Sequence, residues 1–124
     1  MPFTATVHHG RPYLLIEAAG PASLTDLCAL ADFVAALCQR SGERRALIDL
    51  QRVTLSLSFT EHLQLGAWVA DKLARLDQVA TVVQPAYRKG TSEKAAQKFG
   101  LHLRTFTAMD EAVAWLGEAR VGNA

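Results

Sequence analysis

Residues 45–50 of the chain read Arg45-Ala-Leu-Ile-Asp-Leu50, a short and almost wholly apolar run. Such a run is typical of a central strand that is covered on both faces of a parallel sheet. The preceding pair Ser41-Gly42 is typical of the end of a helix, so the run follows one directly. We therefore expect residues 45–50 to form the middle strand of a sheet that helices cover.

Before this strand the sequence predicts a hairpin and a helix. Residues 3–8 and 12–19 carry β-branched and aromatic side chains, and the turn-like Gly10-Arg11-Pro12 separates them, which predicts two antiparallel strands. Gly20-Pro21 is expected to end the second of these strands. Residues 23–39 open with a capping-box pattern and then repeat apolar residues at steps of three and four, which predicts a helix with one buried face.

After the middle strand, the sequence predicts a further extended segment, a helix and a strand. Residues 53–59 alternate apolar and hydroxyl-bearing side chains, which predicts a half-buried segment that is either a strand or an extended loop. Thr60 is expected to cap a second helix, which runs to about Leu76. Residues 79–83 predict the next buried strand.

The last part of the chain predicts two more helices and one more strand. Residues 90–99 have helical spacing and end at Gly100, and residues 101–106 form the next expected strand. Thr107 and Asp110 repeat the capping-box pattern ahead of a closing helix. The predicted order is therefore ββαβαβαβα.

This order defines the expected fold class. Alternation of strands and helices after the hairpin indicates a single-domain α/β fold with a mainly parallel sheet, an N-terminal hairpin and four helices. The length of 124 residues suits one domain that buries its own core. We expect that domain at residues 1–120, followed by a short C-terminal tail at residues 121–124.

Composition and charge narrow the classes of partner. The chain has 13 Lys and Arg against 12 Asp and Glu, a net charge of +1, which disfavours nucleic-acid binding. No apolar run approaches the ~20 residues of a membrane span, and the start of the chain lacks the pattern of a signal peptide. Cys28 and Cys38 fall on one predicted helix, too far apart for a disulfide, which suits a reducing compartment. We expect a cytoplasmic protein.

The sequence carries no motif of the common enzyme classes, neither a phosphate-binding glycine loop nor a hydrolase or metalloprotease signature. His8 and His9 would point to opposite faces of a strand, so we expect no metal site, and no cofactor is predicted. Asp49 is expected to accept hydrogen bonds from nearby backbone N–H groups. The alternative, an enzyme that uses Asp49, His62 or Ser58, requires these groups to converge in one cleft.

One predicted loop joins a buried strand to a helix and carries cationic and hydroxyl side chains. Such loops lie at the edge of a parallel sheet where ligands usually bind, and a helix N-terminus attracts anions. The loop is therefore a candidate anion-binding site, whose residues are Arg88, Lys89, Gly90, Thr91 and Ser92. In the alternative, it is a solvated loop in which Thr91 or Ser92 caps the helix.

Trp68 lies on the charged side of the second helix, opposite its apolar stripe. A large aromatic side chain in that position is uncommon unless something covers it. The candidate interface comprises Trp68, Gln64, Lys72 and Arg75. In the alternative, the aliphatic stems of Lys72 and Arg75, or a loop, cover the ring. Trp115, beside the stripe of the last helix, is expected to be partly buried in the core.

Four stretches give the chain a resemblance to a known family. They are Leu47-Ile-Asp-Leu50, the extended stretch that enters a helix at Thr60, Val79-Ala-Thr-Val-Val83, and the closing Phe106-Thr-x-x-Asp-Glu-Ala-x-x-Trp-Leu116. With this order of elements the chain resembles STAS-type domains, and in particular their bacterial SpoIIAA-like branch. The resemblance covers nearly the whole chain and implies an α/β regulatory domain.

The resemblance also points to a place for phosphorylation. In anti-sigma-factor antagonists of this fold, a phosphorylatable Ser in an Asp-Ser-Ser-Gly segment opens the helix after the central strand. The comparable stretch here is Thr54-Leu-Ser-Leu-Ser-Phe-Thr60, which has the hydroxyls without the acidic residue and the glycine. The resemblance thus implies Ser58 and Thr60 as candidate phospho-acceptors, and for Thr60 the alternative is to cap the helix.

Three functions follow as hypotheses. The leading one is a non-enzymatic regulatory or protein-interaction domain of STAS type, whose partner is another protein or a second copy bound as a homodimer through the helix that carries Trp68. The second is a small-ligand binder, with an anion or phosphoryl group at residues 89–92 or a lipid-like apolar molecule between helices and sheet. The lipid-binding relatives that the resemblance implies suggest an acyl chain, which requires a cavity. An enzyme stays the third hypothesis.

Overall fold

The computed structural model describes residues 2–88 and 90–122, with side chains as far as Gly117. In chain order its strands and helices are β1 (Thr4–His8), β2 (Leu14–Ala22), α1 (Leu24–Ser41), β3 (Arg45–Leu55), α2 (Phe59–Lys72), β4 (Gln78–Val82), α3 (Thr91–Lys98), β5 (Leu103–Phe106) and α4 (Met109–Gly122). A turn of 3-10 helix spans Pro85–Tyr87. The predicted order ββαβαβαβα is confirmed. Of the tail expected at residues 121–124, residues 121–122 belong to α4 and residues 123–124 lie outside the described residues.

The strands of the described residues form one sheet in the order β1-β2-β3-β4-β5. β1 pairs antiparallel with β2, and the other neighbouring strands are parallel. β3 is therefore the middle strand, as the apolar run at residues 45–50 predicts. Because parallel crossovers are right-handed and each one here steps to the adjacent strand, α1, α2 and α3 lie on the same face of the sheet.

The two faces of the sheet bury separate cores. The core on the side of α1, α2 and α3 includes Ile16, Ile48 and Val79. The core beneath α4 includes Leu47 of β3 and Trp115 of α4. Trp115 is only 9% exposed, which confirms its expected burial.

Gly20-Pro21 does not end β2, contrary to the prediction. The strand continues to Ala22 because Gly20 adopts a φ of +105°, where a Cβ would lie 2.5 Å from the carbonyl oxygen of Pro2. Residues 20–22 pair with residues 53–55 of β3. The stretch predicted at residues 53–59 is consequently divided, since its first part ends β3 and the rest leads into α2.

Ser58, and not Thr60, caps α2. Ser58 Oγ accepts a hydrogen bond from the N–H of Glu61 at 3.2 Å, and Glu61 Oε1 accepts one from the N–H of Ser58 at 3.0 Å. This reciprocal pair satisfies two N–H groups at once, whereas Thr60 has the apolar Leu63 three residues later and forms no such pair. α2 also ends at Lys72 rather than at about Leu76, because a turn follows directly.

The capping box of Ser23 and Asp26 at the start of α1 is confirmed. The second predicted box is wrong. α4 begins at Met109, so Thr107 lies two residues before the helix, and Asp110 Oδ1 instead accepts a hydrogen bond from the N–H of Glu111 at 3.0 Å.

Cys28 and Cys38 are both free thiols on α1, as their spacing predicts. Burial, with a smaller contribution from Glu43, raises the pKa of the Cys38 thiol to about 11. Neither cysteine is poised to react at neutral pH, since the thiolate is the reactive form.

The helices within residues 2–88 and 90–122 are too short or too polar for any of them to cross a membrane.

Candidate functional site

A cleft of about 120 Å³ lies between the sheet and the three helices on its one face. α1, α2 and β3 line it with apolar side chains such as Leu30, Ile48 and Val69. β4, β5 and the start of α3 line it with side chains that are mostly polar. The cleft therefore has an apolar side and a polar side.

His62 and Ser92 join α2 to α3 on the polar side of the cleft. Ser92 Oγ lies 2.8 Å from His62 Nδ1 in a partly buried hydrogen bond. Gly66, one turn after His62, permits this approach, because a Cβ there would lie 2.5 Å from Ala95 Cβ and 2.7 Å from the carbonyl oxygen of Ser92. The two helices therefore pack closely enough for their polar side chains to bond directly.

Thr81 of β4 and Thr105 of β5 form the floor of the polar side. Their Oγ1 atoms are 2.8 Å apart, so one hydroxyl donates to the other and the second hydroxyl hydrogen is not used within the pair. Glu93 Oε2 accepts a hydrogen bond from the N–H of Thr105 at 2.6 Å, and Arg88 Nε donates one to its carbonyl oxygen at 3.2 Å. A carboxylate and a guanidinium are thereby fixed beside the threonine pair.

These contacts also cover the outer edge of β5. Gln97 Nε2 donates to the carbonyl oxygen of Leu103 at 2.8 Å. Glu93 and Arg88 bind the N–H and the carbonyl oxygen of Thr105, two residues further along the same strand. An uncovered edge strand would offer such groups to another strand. The side chains of α3 therefore close this edge against strand pairing.

Most of the predicted anion-binding loop lines the cleft. Arg88, Gly90, Thr91 and Ser92 line the cleft, and Lys89 lies outside the described residues. Gly90, at a φ of +80°, occupies the cap position of α3, so neither Thr91 nor Ser92 is the cap that the alternative expected. Ser92 contacts His62 instead. Anion binding by the loop stays a prediction.

The first turn of α2 carries the two candidate phospho-acceptors, Ser58 and Thr60, and both are exposed. A groove of about 300 Å³ lies beside it, lined by Leu55, Ser56, Leu57, Ser58, His62 and Tyr87. His62 and Tyr87 also line the cleft, so the groove and the cleft adjoin. Ser58 thus lies at the helix opening where the resemblance implies a phospho-acceptor, and its phosphorylation stays a prediction.

Trp68 packs against α1. Its indole N–H donates to Asp32 Oδ1 at 3.0 Å and to the carbonyl oxygen of Cys28 at 3.2 Å, and Lys72 Nζ lies 4.7 Å from the ring centroid. The ring is 39% exposed. Lys72 contacts the ring as the alternative expected, and α1 supplies the other contacts. The interface proposed at Trp68, Gln64, Lys72 and Arg75 stays a prediction.

The groups that the enzyme hypothesis requires do not all meet. Ser58 and His62 line the same groove, but Asp49 lines neither the groove nor the cleft. Asp49 Oδ1 accepts a hydrogen bond from the N–H of Gln51 at 3.0 Å, as expected.

Possible metal ligands are also dispersed. His8 Nε2 lies 2.8 Å from Glu17 Oε1. Across the described part of the chain, no three His, Cys, Asp or Glu side chains group together as metal ligands.

Sequence reasoning missed Thr81, Thr105 and Glu93 as parts of the site. The signal was present for the threonines, since each occupies an inward position within a strand whose neighbours on that face are apolar. For Glu93 the sequence offers no signal, because its partner is a backbone N–H of a strand 12 residues later.

Comparisons with known proteins identify the fold. One solved structure with the same arrangement is an anti-sigma factor antagonist from Mycobacterium paratuberculosis, with 20% identity, a TM-score of 0.65, and coverage of 91% of this chain and 92% of that one. Another is a protein with a SpoIIAA-like fold from Shewanella loihica PV-4, with 20% identity, a TM-score of 0.55, and coverage of 92% and 93%. At this identity the two structures establish the fold alone. No curated protein matches the sequence.

The family comparison goes further than the fold. The sequence pattern of the SpoIIAA-like family matches residues 13–117, which span β2 to α4 and include every residue that lines the cleft. The resemblance drawn from the sequence is thereby confirmed, and the chain belongs to the SpoIIAA-like family.

Proposed function

We propose that this chain is a non-enzymatic regulatory domain that binds a protein partner through the first turn of α2. The observation that carries the proposal is the exposure of Phe59 and Leu63, which are 69% and 41% exposed. Phe59 directly follows the candidate phospho-acceptor Ser58, and Leu63 lies one turn after Phe59. The structural similarity to an anti-sigma factor antagonist supports a role of this kind.

Phe59 and Leu63 are suited to a partner surface by their geometry. Residues four apart on a helix are neighbours on its surface, so the two side chains form one apolar strip. Exposed aromatic side chains that a partner buries commonly dominate the affinity of an interface, and a polar rim usually surrounds them. Ser56, Ser58 and Thr60 supply hydroxyls beside this strip.

Phosphorylation of Ser58 would change the same surface. A phosphate adds about 1.5 to 2 negative charges and replaces the hydroxyl that caps α2. The helix N-terminus favours that charge, whereas Glu61, which now bonds Ser58, opposes it. The modification therefore exchanges the Ser58–Glu61 pair for a charged group beside Phe59, which is a means of switching partner affinity.

The alternative partner is a second copy of the chain, bound as a homodimer through the surface of Trp68, Gln64, Lys72 and Arg75, and the intrachain contacts of Trp68 with α1 argue against it. The cytoplasmic location expected from the sequence belongs to the same proposal.

In-cell photo-crosslinking tests the proposal. A benzophenone amino acid replaces Phe59 in one variant and Phe99, which is similarly exposed at 65% but lies at the end of α3, in the matched control. We expect a discrete crosslinked protein from position 59 that position 99 does not yield. Equal products from both positions, or none from position 59, contradict the proposed surface.

A further inference from the structure

We infer that the cleft between the sheet and α1, α2 and α3 binds a compact apolar carboxylic acid, with its apolar body against α1 and α2 and its carboxylate at Arg88, Ser92 and the Thr81–Thr105 pair. This site is distinct from the protein-binding surface proposed at the first turn of α2. The inference rests on the size of the cleft and on the separation of apolar and polar groups within it.

Size limits the apolar body of the ligand. The cleft has a volume of about 120 Å³. An engineered protein cavity of ~150 Å³ with apolar walls binds benzene. The cleft is somewhat smaller than that cavity, so the apolar body it holds is at most about a single ring or a short branched chain, whereas the acyl chain of a membrane lipid, with more than twice the carbons of benzene, would extend beyond it.

The apolar side of the cleft matches such a body. The aliphatic side chains on this side include Leu27 and Leu30 of α1, Ile48, Leu50 and Leu55 of β3, and Leu65 and Val69 of α2. Burying an apolar ring against them removes its surface from water, which supplies most of the affinity in sites of this kind.

The polar side of the cleft matches a carboxylate. Arg88 is held to Thr105 through Nε, a bond that does not use the two terminal nitrogens of the guanidinium. The threonine pair retains one hydroxyl hydrogen, and Ser92, which lines the cleft and bonds His62 Nδ1, retains its own when the imidazole is the donor in that bond. These groups are hydrogen-bond donors, and a carboxylate is an acceptor that binds guanidinium and hydroxyl groups together.

Glu93 also lines the cleft, and its contacts weaken its repulsion of a bound carboxylate. Its Oε2 accepts the N–H of Thr105 at 2.6 Å, so its charge is directed to the backbone of β5. Arg88 bonds the carbonyl oxygen of the same residue, and its positive charge therefore offsets that of Glu93 next to the hydroxyl donors.

The test uses three probes and NMR amide shifts of the full chain. Phenylacetate is the compact acid, 2-phenylethanol is its neutral counterpart, and palmitate is the long-chain acid. We expect phenylacetate to shift amide signals around Val69, Ser92 and Thr105 saturably. Arg88→Gln should weaken phenylacetate binding about tenfold, as loss of a charged hydrogen bond does, and leave 2-phenylethanol within about twofold. Arg40→Gln, an exposed arginine on α1, is the matched control and should change neither.

Specific results would overturn the inference. If phenylacetate gives no saturable shift, the cleft does not bind a compact acid. If Arg88→Gln weakens binding of the acid and of the alcohol equally, Arg88 does not hold the carboxylate. If palmitate binds ten times more tightly than phenylacetate, the inferred ligand is wrong and the cleft binds a lipid-like molecule. Val69→Phe fills the apolar side, so a folded Val69→Phe protein that binds phenylacetate as well as the wild type also contradicts the site.

Discussion

His62 Nδ1 and Ser92 Oγ lie 2.8 Å apart although 30 residues separate them in the sequence. The bond joins the second and third helices at the border between the cleft and the groove beside the first turn of α2. It forms because Gly66 brings the two helices together one turn further along. The packing at Gly66 therefore sets the distance at which His62 and Ser92 meet.

We expect Gly66→Ala to destabilise the protein. The new Cβ would meet Ala95 Cβ at 2.5 Å and the Ser92 carbonyl oxygen at 2.7 Å, and the backbone at Ser92 cannot yield without moving α3. Overpacking of this kind costs about 1–3 kcal/mol of the free energy of unfolding. Gly117→Ala is the control, because a Cβ there meets nothing within 4 Å and should stabilise α4 by about 0.5–1 kcal/mol. Urea denaturation measures both stabilities, and a Gly66→Ala protein more stable than Gly117→Ala would contradict the close packing of α2 against α3.

Ser58→Ala should cost more stability than Thr60→Ala. Ser58 Oγ accepts the N–H of Glu61, and loss of a capping hydroxyl costs about 1 kcal/mol. Thr60 lies inside the helix and is exposed, so its loss should change the free energy of unfolding by no more than about 0.5 kcal/mol. Denaturation of both variants measures the difference, and a larger effect at Thr60 would restore that residue as the cap.

Trp68→Phe should lower the free energy of unfolding by about 0.5–1.5 kcal/mol, because it keeps an aromatic ring but removes the N–H that Asp32 and Cys28 bind. Trp68→Ala should lower it further by removing the ring that Lys72 covers.

From these intrachain contacts we expect Trp68→Ala to leave the solution mass unchanged in light scattering over a dilution series. A wild-type dimer that becomes a folded monomer on this substitution would instead support the homodimer.

Stability should fall between pH 9 and about 11 in a manner that depends on Cys38. Burial raises the pKa of this thiol from 9.0 to about 11, so the unfolded chain loses the proton first and the free energy of unfolding decreases across that interval. One such group contributes at most about 1.4 kcal/mol per pH unit. Cys38→Ala removes this contribution, so the variant should show a shallower decline in denaturation experiments than the wild type. An equal decline of the free energy of unfolding in the two proteins would contradict the raised pKa of Cys38.

The order of elements was predictable because helices and strands here have strong periodic patterns. The apolar run at residues 45–50 identifies β3 as the middle strand, and Ser23 with Asp26 marks the start of α1. Boundaries were less predictable. The pair Gly20-Pro21 is typical of a strand end, yet β2 continues through it, because a glycine at position 20 has no Cβ to clash with the backbone of Pro2.

The site was predictable only in part. The loop at residues 88–92 was singled out, and most of it lines the cleft. The contacts that build the polar side join residues distant in sequence, such as His62 with Ser92 and Glu93 with Thr105. Spacing along one element carries no information on such pairs. Trp68 illustrates the opposite case, since a helical wheel places it on a charged face but cannot show that α1 lies beside that face.

The most direct test of the central claim is calorimetric affinity for the protein crosslinked at position 59, measured with wild type, Phe59→Ser and Phe99→Ser. Both substitutions replace an exposed phenylalanine, so each variant should stay folded, which thermal unfolding verifies. We predict that Phe59→Ser weakens binding at least about tenfold, as loss of a dominant interface residue does, and that Phe99→Ser binds like the wild type. Unchanged affinity of Phe59→Ser would contradict a partner surface at the first turn of α2.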